Sequence, residues 1–332
     1  MTVLLIGRDA DLHIDAVLVE LQTRGVPWIR LDPERIVASK TRLEATYGDC
    51  SSPTTIETYA GHIEPHEISG VLCRYALEAI ELPTADAIAR FAAAEFQAAQ
   101  RGILLHIDAH RWVNDPFAEA RADHKPFQLF AAQRVGLKVP PTLVSQDLAA
   151  LKRFAKRHGR CVIKPISDVG LARCSGSYFN EIPSTAKSAT ADCSFTGRFD
   201  PAMLDRENID LSCPVLLQAE IAPKTDLRVT VVDDQVFAAE ITQVDSHHSL
   251  DVRNCEKVEI AALDIGVTAD AVCALVHRLG LRFAACDFVR APDGLYFLEA
   301  NVSGNWLWTE NGANLPISQA LAGALSLASV SE

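Results

Sequence analysis

The sequence predicts an α/β (α+β) protein of two or three domains, and three observations predict it. The chain has 332 residues, against a typical domain of about 150. Its first half alternates short apolar runs with segments of helical period. Its second half carries two strand pairs, each broken by its own turn residues.

Val3, Leu4, Leu5 and Ile6 ending at Gly7 suit a buried strand. Asp9 or Asp11 can cap the next segment, where Ile14, Val17, Leu18 and Leu21 share one helical face and Gly25 ends the run. Residues 27–31 read as a second strand. This β-α-β opening lacks a G-x-G-x-x-G turn after its first strand, so a dinucleotide fold has no phosphate-binding element here. A strand over 68–73, an alanine-rich helix over 85–100 and a strand over 103–107 complete an N-terminal α/β domain, residues 1–112. Trp112-Val113-Asn114-Asp115-Pro116 punctuates the chain at its end.

A helix over 117–135, a strand over 142–144, a helix over 147–157 capped by Asp147, and a strand over 161–164 are expected next. Gly170 and Gly176 place a loop at 167–177. These belong to a central domain, 113–213. A C-terminal domain, 214–332, begins with a strand over 215–218. It continues with a hairpin of 226–232 and 235–241 across Asp233-Asp234, and a helix over 267–280. A second hairpin, 282–290 and 295–301 across Pro292-Asp293-Gly294, precedes the last helix.

Composition excludes several classes. Hydrophobic residues at 48% and charged residues at 22% are globular values. The net charge of −12 argues against an extensive nucleic-acid surface. Yet residues 121–164 hold ten Lys/Arg and only two acids, which favours an anionic ligand locally. Nine cysteines, an odd count with no C-x-x-C pair, read as free thiols of a reducing cytoplasm. No signal peptide is expected, because Arg8 and Asp9 interrupt the first apolar run. The apolar tail from 315 to 330 falls short of the roughly 20 residues a membrane span needs, so no membrane partner is expected.

The second hairpin carries the strongest chemical signal. Glu299 and Asn301 are two apart and point to one face of a strand. Asp287 sits on the partner strand. Three oxygen ligands on one face suit Mg²⁺; the alternative is a solvated sheet face. Lys164 closes the apolar strand Cys161-Val162-Ile163, a costly place for an ammonium without an anion. Lys125 opens a helix with Pro126 in its first turn. Arg228 and Thr230 share one face of their strand. Surface lysines are common, so the alternative for Lys125 and Lys164 is a solvated surface position, and for Arg253 a surface arginine in a loop.

These pieces, in this order, resemble the ATP-grasp superfamily over residues 112–325. Asp287, Glu299 and Asn301 resemble its magnesium motif, and Lys125 and Lys164 its two phosphate-contacting lysines. Leu216-Leu217-Gln218-Ala219-Glu220-Ile221 resembles the adenine hinge, and Asp226-Leu227-Arg228 the acidic-x-Arg element after it. Within the superfamily the chain is most similar to the ribosomal-peptide maturases, the graspetide macrocyclases, which are related to the RimK-type ligases. The segment from Trp112 to Pro116, the run Pro140-Pro141-Thr142-Leu143-Val144, and Trp306 and Trp308 after the metal strand carry that likeness. Simple packing would also explain the two tryptophans. The chain departs from the family's Asp-Trp-Arg at Asp251-Val252-Arg253, from its Arg-Arg-Pro-like strand end at Arg74-Tyr75-Ala76, and in the loop at 167–177.

The resemblance implies an ATP-grasp fold with an N-terminal pre-ATP-grasp domain and two α+β subdomains enclosing the nucleotide. It implies an ATP-dependent ligase acting through an acyl phosphate, a macrocyclase that installs side-chain ester or amide crosslinks in a ribosomally made precursor peptide with a leader segment. The cofactors implied are ATP and Mg²⁺, two ions, with Mn²⁺ as a substitute. Asp287, Glu299 and Asn301 would hold the metal, and Lys125 and Lys164 the α- and β-phosphates. Gln218, Ala219, Glu220 and Ile221 would line the adenine. Asp226, in preference to Glu220, would take the ribose, and Arg228 and Arg253 the transferring phosphoryl. His247, His248 or Asp251 could serve as general base. Two alternatives stay open: a RimK-like ligase joining amino acids or extending a peptide end, and a non-catalytic leader-binding module. The oligomeric state is also open, a homodimer being one option.

Overall fold

The structure, a computed structural model, describes residues 2–32, 42–48, 54–59, 61–74, 86–166, 196–201, 213–244 and 257–327. Strand β1 (Thr2–Ile6) leads into helix α1 (Leu12–Thr23) and strand β2 (Trp28–Leu31). The side chain of Asp11 accepts from His13 N and Ile14 N and so starts α1. Ile14, Val17 and Leu21 form its buried stripe. Strands β3 (Arg42–Glu44), β4 (Thr55–Thr58) and β5 (Gly61–Ile63) make a small antiparallel sheet that the sequence pattern did not reveal. Strands β6 (Ile68–Cys73) and β7 (Trp112–Val113) rejoin the first two in a parallel sheet of order β2-β1-β6-β7.

Between β6 and β7 runs α2 (Ala87–Leu104). The strand expected over 103–107 is therefore the end of a helix and a turn. Ile103, Leu104 and Ile107 are buried against Leu4, Ile6 and Trp112, and a five-residue run with four apolar residues does not separate a strand from a helix terminus. The single helix expected over 117–135 is two helices, α3 (Pro116–Ala122) and α4 (Lys125–Arg134). Pro126 lacks the N–H that would continue a helix through it, so a new one starts there.

The central sheet is antiparallel. Its strands are β8 (Thr142–Ser145), β9 (Cys161–Lys164), β10 (Gly197–Phe199) and β11 (Val215–Ala219), in the order β10-β9-β11-β8. Helix α5 (Leu148–His158), capped by Asp147, packs Leu151 and Ala155 against it.

The fourth sheet contains β12 (Thr225–Val232), β13 (Gln235–Gln243), β14 (Val258–Leu263), β15 (Phe283–Ala291) and β16 (Gly294–Asn301). Its order is β14-β13-β12-β15-β16. Helix α4 and helix α6 (Thr268–Leu279) cover one face, packing Ala131, Val272 and Val276 in one buried cluster with Phe288 of β15. Two short helices follow, α7 (Leu307–Ala313) and α8 (Ile317–Leu327).

Helix α8 folds back onto the first sheet. Leu321 and Leu325 join Leu5, Val17, Leu72, Phe283 and Trp306 in one buried cluster, so the two ends of the chain share a core. Gly70 makes the approach possible: a Cβ there would lie 2.4 Å from the Leu325 carbonyl oxygen and 2.8 Å from its Cα. No helix of the described residues is long and apolar enough to cross a membrane.

Gly70→Ala is expected to destabilise the fold by about 1–3 kcal/mol, the usual cost of overpacking, because backbone rather than a flexible side chain must yield. Thermal unfolding measures it, and an unchanged midpoint would refute the docking of α8 on β6.

Candidate active site

The β15–β16 hairpin positions the acids. Asp287 is opposite Glu299 across the ladder, and Arg228 of β12 is opposite Asp287 on its other side. The register shifts after Asp287, so that Phe288 pairs with Phe297. Such a bulge re-aims side chains, and Leu298 and Glu299 both reach the same cleft. Asn301 Nδ2 donates to Asp287 Oδ2 at 3.1 Å and to the Ala285 carbonyl at 3.2 Å. Arg228 Nη1 lies 3.1 Å from Asp287 Oδ1 and donates to the Ala285 carbonyl at 3.0 Å. Lys125 Nζ, from the first turn of α4, stands 3.9 Å from Glu299 Oε2.

The central sheet supplies the opposite wall. Lys164 ends β9 and lines the cleft with Gln218. Burial pulls its ammonium pKa below the usual lysine range. Glu299 and Asp287 resist that shift, while Lys125 and Lys224 add to it. Ala219, Glu220 and Ile221 continue the wall where β11 ends. Gln218 is buried and donates to Thr142 Oγ1 at 2.9 Å.

Two acids flank this segment. Asp226 pairs with Lys224 at 2.5 Å. Glu220 has Arg160 and Arg198 at 3.7 and 3.6 Å, and its buried Oε2 has no hydrogen-bond donor. Arg228 Nε is likewise buried without an acceptor. The cleft measures about 1040 Å³.

Of the expected residues, Lys164, Gln218, Ala219, Glu220 and Ile221 therefore face Asp226, Arg228, Asp287, Glu299 and Asn301 across one cleft. Lys125 joins them through Glu299. Arg253, His247, His248, Asp251 and the loop at 167–177 lie outside the described residues.

The tryptophans separate. Trp306 is buried, donates to Ser318 Oγ at 2.9 Å and meets Phe283 edge-on. Trp308, in α7, borders the cleft with the Arg228 guanidinium 5.4 Å from its ring centroid. Packing thus accounts for the first and not for the second.

Beyond the metal-type residues the cleft extends to a part that the motifs did not foresee. Arg74, at the end of β6, donates to Asp11 Oδ2 at 2.9 Å, to the Ser303 carbonyl at 3.1 Å and to Asn305 Oδ1 at 2.9 Å. It holds the turn after β16 against the first sheet. Glu119 of α3 faces the same region. Burial raises its carboxyl to a pKa of about 7, against the opposing hydrogen bonds from Ser303 and Asn114. In sequence Glu119 reads as an ordinary helix acid, and no motif marks it.

No family model matches the chain, and no curated protein matches it. Solved structures do. A RiPP-associated ATP-grasp ligase from Chryseobacterium gregarium, in complex with ADP and a leader and core peptide, superposes with a TM-score of 0.78. It is 25% identical over 98% of this chain and 96% of that one. Macrocyclase MdnC from Microcystis aeruginosa MRC, bound with precursor peptide MdnA, superposes at 0.74 with 25% identity, covering 98% of this chain and 99% of its own. Macrocyclase MdnB from the same organism superposes at 0.71 with 26% identity over 98% and 99%.

This chain is an ATP-grasp ligase. The ATP-grasp expectation for the fold holds over nearly the whole length, the first sheet included. The likeness to peptide maturases that the tryptophan-bearing segment and the strand after Pro141 implied holds as well.

The ligase carries one pH-sensitive contact behind the cleft. Burial first, then Arg74, depress the imidazole of His13 to a pKa of about 4, and Asp11 partly opposes them. His13 stacks edge-on against Trp306 at 4.5 Å. The folded state keeps this histidine neutral while the unfolded chain takes up a proton near 6.5. Its contribution is therefore whole above pH 6.5 and is lost as the pH falls from 6.5 towards 4. Urea unfolding of wild type and His13→Gln checks this: the variant should gain stability relative to wild type across that window. A constant difference would contradict the assignment.

Proposed function

We propose that this ATP-grasp ligase is a peptide macrocyclase, joining a carboxylate side chain of a precursor peptide to an amine or hydroxyl of the same peptide at the expense of ATP. One observation carries the reading. A single cleft is lined by Asp287, Glu299, Asn301, Lys164, Arg228 and the segment from Gln218 to Ile221, with Lys125 3.9 Å from Glu299. The chains that superpose on it end to end include macrocyclases and a ligase holding ADP with its leader and core peptide. The three-part division at 1–112, 113–213 and 214–332 encloses the nucleotide in this proposal.

The residues fit a magnesium ion. Asp287, Glu299 and Asn301 offer hard oxygen ligands on one sheet face, and phosphates and water would complete the shell. Arg228 balances the Asp287 carboxylate and Lys125 that of Glu299. The ions, two Mg²⁺ with Mn²⁺ as a substitute, would offset the charge of the β- and γ-phosphates.

The chain's own residues do the positioning. Lys125 and Lys164 would neutralise the α- and β-phosphates. Gln218, the Ala219 carbonyl and the Ile221 N–H would border the adenine. For the ribose we favour Glu220 over Asp226, because Asp226 is tied to Lys224 at 2.5 Å, while Glu220, ion-paired with Arg160 and Arg198 at 3.7 and 3.6 Å, keeps a buried Oε2 without a hydrogen-bond donor. Arg228, with its orphaned Nε, would take the transferring phosphoryl, where a guanidinium fork fits. Arg253 would assist on the acyl phosphate.

In this reaction a substrate carboxylate attacks the γ-phosphorus, giving an acyl phosphate and ADP. An amine or hydroxyl then attacks the acyl carbon and inorganic phosphate leaves. The physics is chiefly orientation and charge neutralisation.

Asp287→Asn and Glu299→Gln should lose ADP release by at least about 100-fold while keeping the wild-type circular dichroism. Full turnover in either would remove the metal assignment. Isothermal calorimetry with Mg·ADP should show a severe loss of affinity for Lys164→Ala and a larger loss for Glu220→Gln than for Asp226→Asn. Mass spectrometry of candidate peptides identifies the product. Ring closure removes one water per crosslink from a single peptide, whereas a RimK-like ligase adds residue masses. A leader-binding module would release no ADP.

A further inference from the structure

The nucleotide reading leaves one end of the cleft without a task, and that end holds an acid. Glu119 of α3 lines it. Ser303 Oγ donates to Glu119 Oε1 at 2.9 Å, and the Asn114 amide donates to the same oxygen at 3.3 Å. Among the described residues no donor reaches Oε2. Ser303 follows the metal-type Asn301 by two residues, so the carboxyl stands beside the strand end where the acyl group would form. Two sources fix it in place. Asn114 is itself buried and held by Phe283 and Val302, and Ser303 sits in the turn that Arg74 clasps.

We infer that Glu119 is the general base of the ligation step, taking the proton of the incoming amine or hydroxyl through Oε2. The inference rests on the ligase reading above. The nucleophile's lone pair forms the new bond to the acyl carbon, and its proton passes to Glu119. The carbon–oxygen bond to the phosphoryl group breaks, and that electron pair leaves with inorganic phosphate. Glu119 then returns its proton to water before the next turnover. The charged groups that face it are Arg74, which favours the carboxylate, and Asp123, which disfavours it. Burial, aided by Asp123, outweighs Arg74 and the two hydrogen bonds and keeps the carboxyl near the pH at which a base both ionises and accepts.

Glu119→Gln is the sharp variant, because a glutamine oxygen accepts the same two hydrogen bonds and cannot take a proton. The experiment uses the full chain, Mg·ATP and the peptide whose ATP-dependent loss of water establishes the ligase reading. Hydroxylamine is added in parallel arms, since it traps an acyl phosphate as a hydroxamate without needing a base. The expected result is ring closure slowed by about 100-fold or more, with hydroxamate formed at close to the wild-type rate. The acid limb of the wild-type pH profile should be missing from the residual activity.

A second measurement separates chemistry from folding. The raised carboxyl stabilises the fold below about pH 4.5, and that gain is lost as the pH rises through about 7. Glu119→Gln should therefore be no less stable than wild type at pH 8. Ring closure at the wild-type rate would overturn the inference. So would a parallel loss of hydroxamate and rings, or a variant that unfolds. If wild type yields neither ADP nor hydroxamate with any candidate peptide, the ligase reading itself fails, and this inference goes with it.

Discussion

Glu299 and Asn301 of the cleft ride on β16, the edge strand of its sheet, and an edge strand has backbone groups that no neighbouring strand pairs. Gln128 meets them. Its amide accepts from Ala300 N at 2.9 Å and donates to the Ala300 carbonyl at 2.8 Å, between Glu299 and Asn301. The Lys138 carbonyl accepts from Phe297 N further along. Asn114 does similar work where β7, β15 and the exit of β16 meet. It donates to the Phe283 and Val302 carbonyls and accepts from Arg282 N and Phe283 N. Leaving any one of these buried groups unpaired costs about 1–3 kcal/mol. Two side-chain amides thus hold an edge strand rigid enough to carry a site.

The same contacts connect the parts of the chain. Gln128 is one turn along α4 from Lys125, so the helix that clamps β16 also delivers a lysine to Glu299. Asn114 leaves β7 of the first sheet and reaches Glu119 as well as β15. Arg74 ends β6 and clasps the turn after Asn301, and α8 closes the loop by packing on Gly70. The first sheet is therefore a structural support of the cleft. Its crevice between β1 and β6, where a doubly wound sheet usually binds its ligand, meets the chain's own turn at Ser303 and Asn305.

Charge arithmetic marked a basic segment of which only part reaches the cleft. Of the ten cations in residues 121–164, Lys152, Arg153, Lys156 and Arg157 are exposed on α5. Lys138 pairs with Asp293, and Arg121 lies over the Phe127 ring. Lys125 and Lys164 are the two that meet the carboxylate pair. A sum over sequence does not see which face of a helix turns to solvent.

Sequence alone determined the β15–β16 hairpin, because the Pro292-Asp293-Gly294 turn and the period-two alternation are local properties. It likewise marked Asp287, Glu299 and Asn301, since spacing on a strand sets the face. It could not separate the end of α2 from a strand at 103–107, or see the break at Asp123 and His124. Short apolar runs look alike until packing selects one. What only the tertiary structure decided was proximity and its chemical consequences. A buried Glu220 oxygen, ion-paired at 3.7 Å, lacks a hydrogen-bond donor while Asp226 has Lys224 at 2.5 Å. Trp306 packs in the core while Trp308 borders the cleft. Glu119 becomes a near-neutral acid through desolvation, which depends on every element packed around it. No pattern along a single helix encodes that.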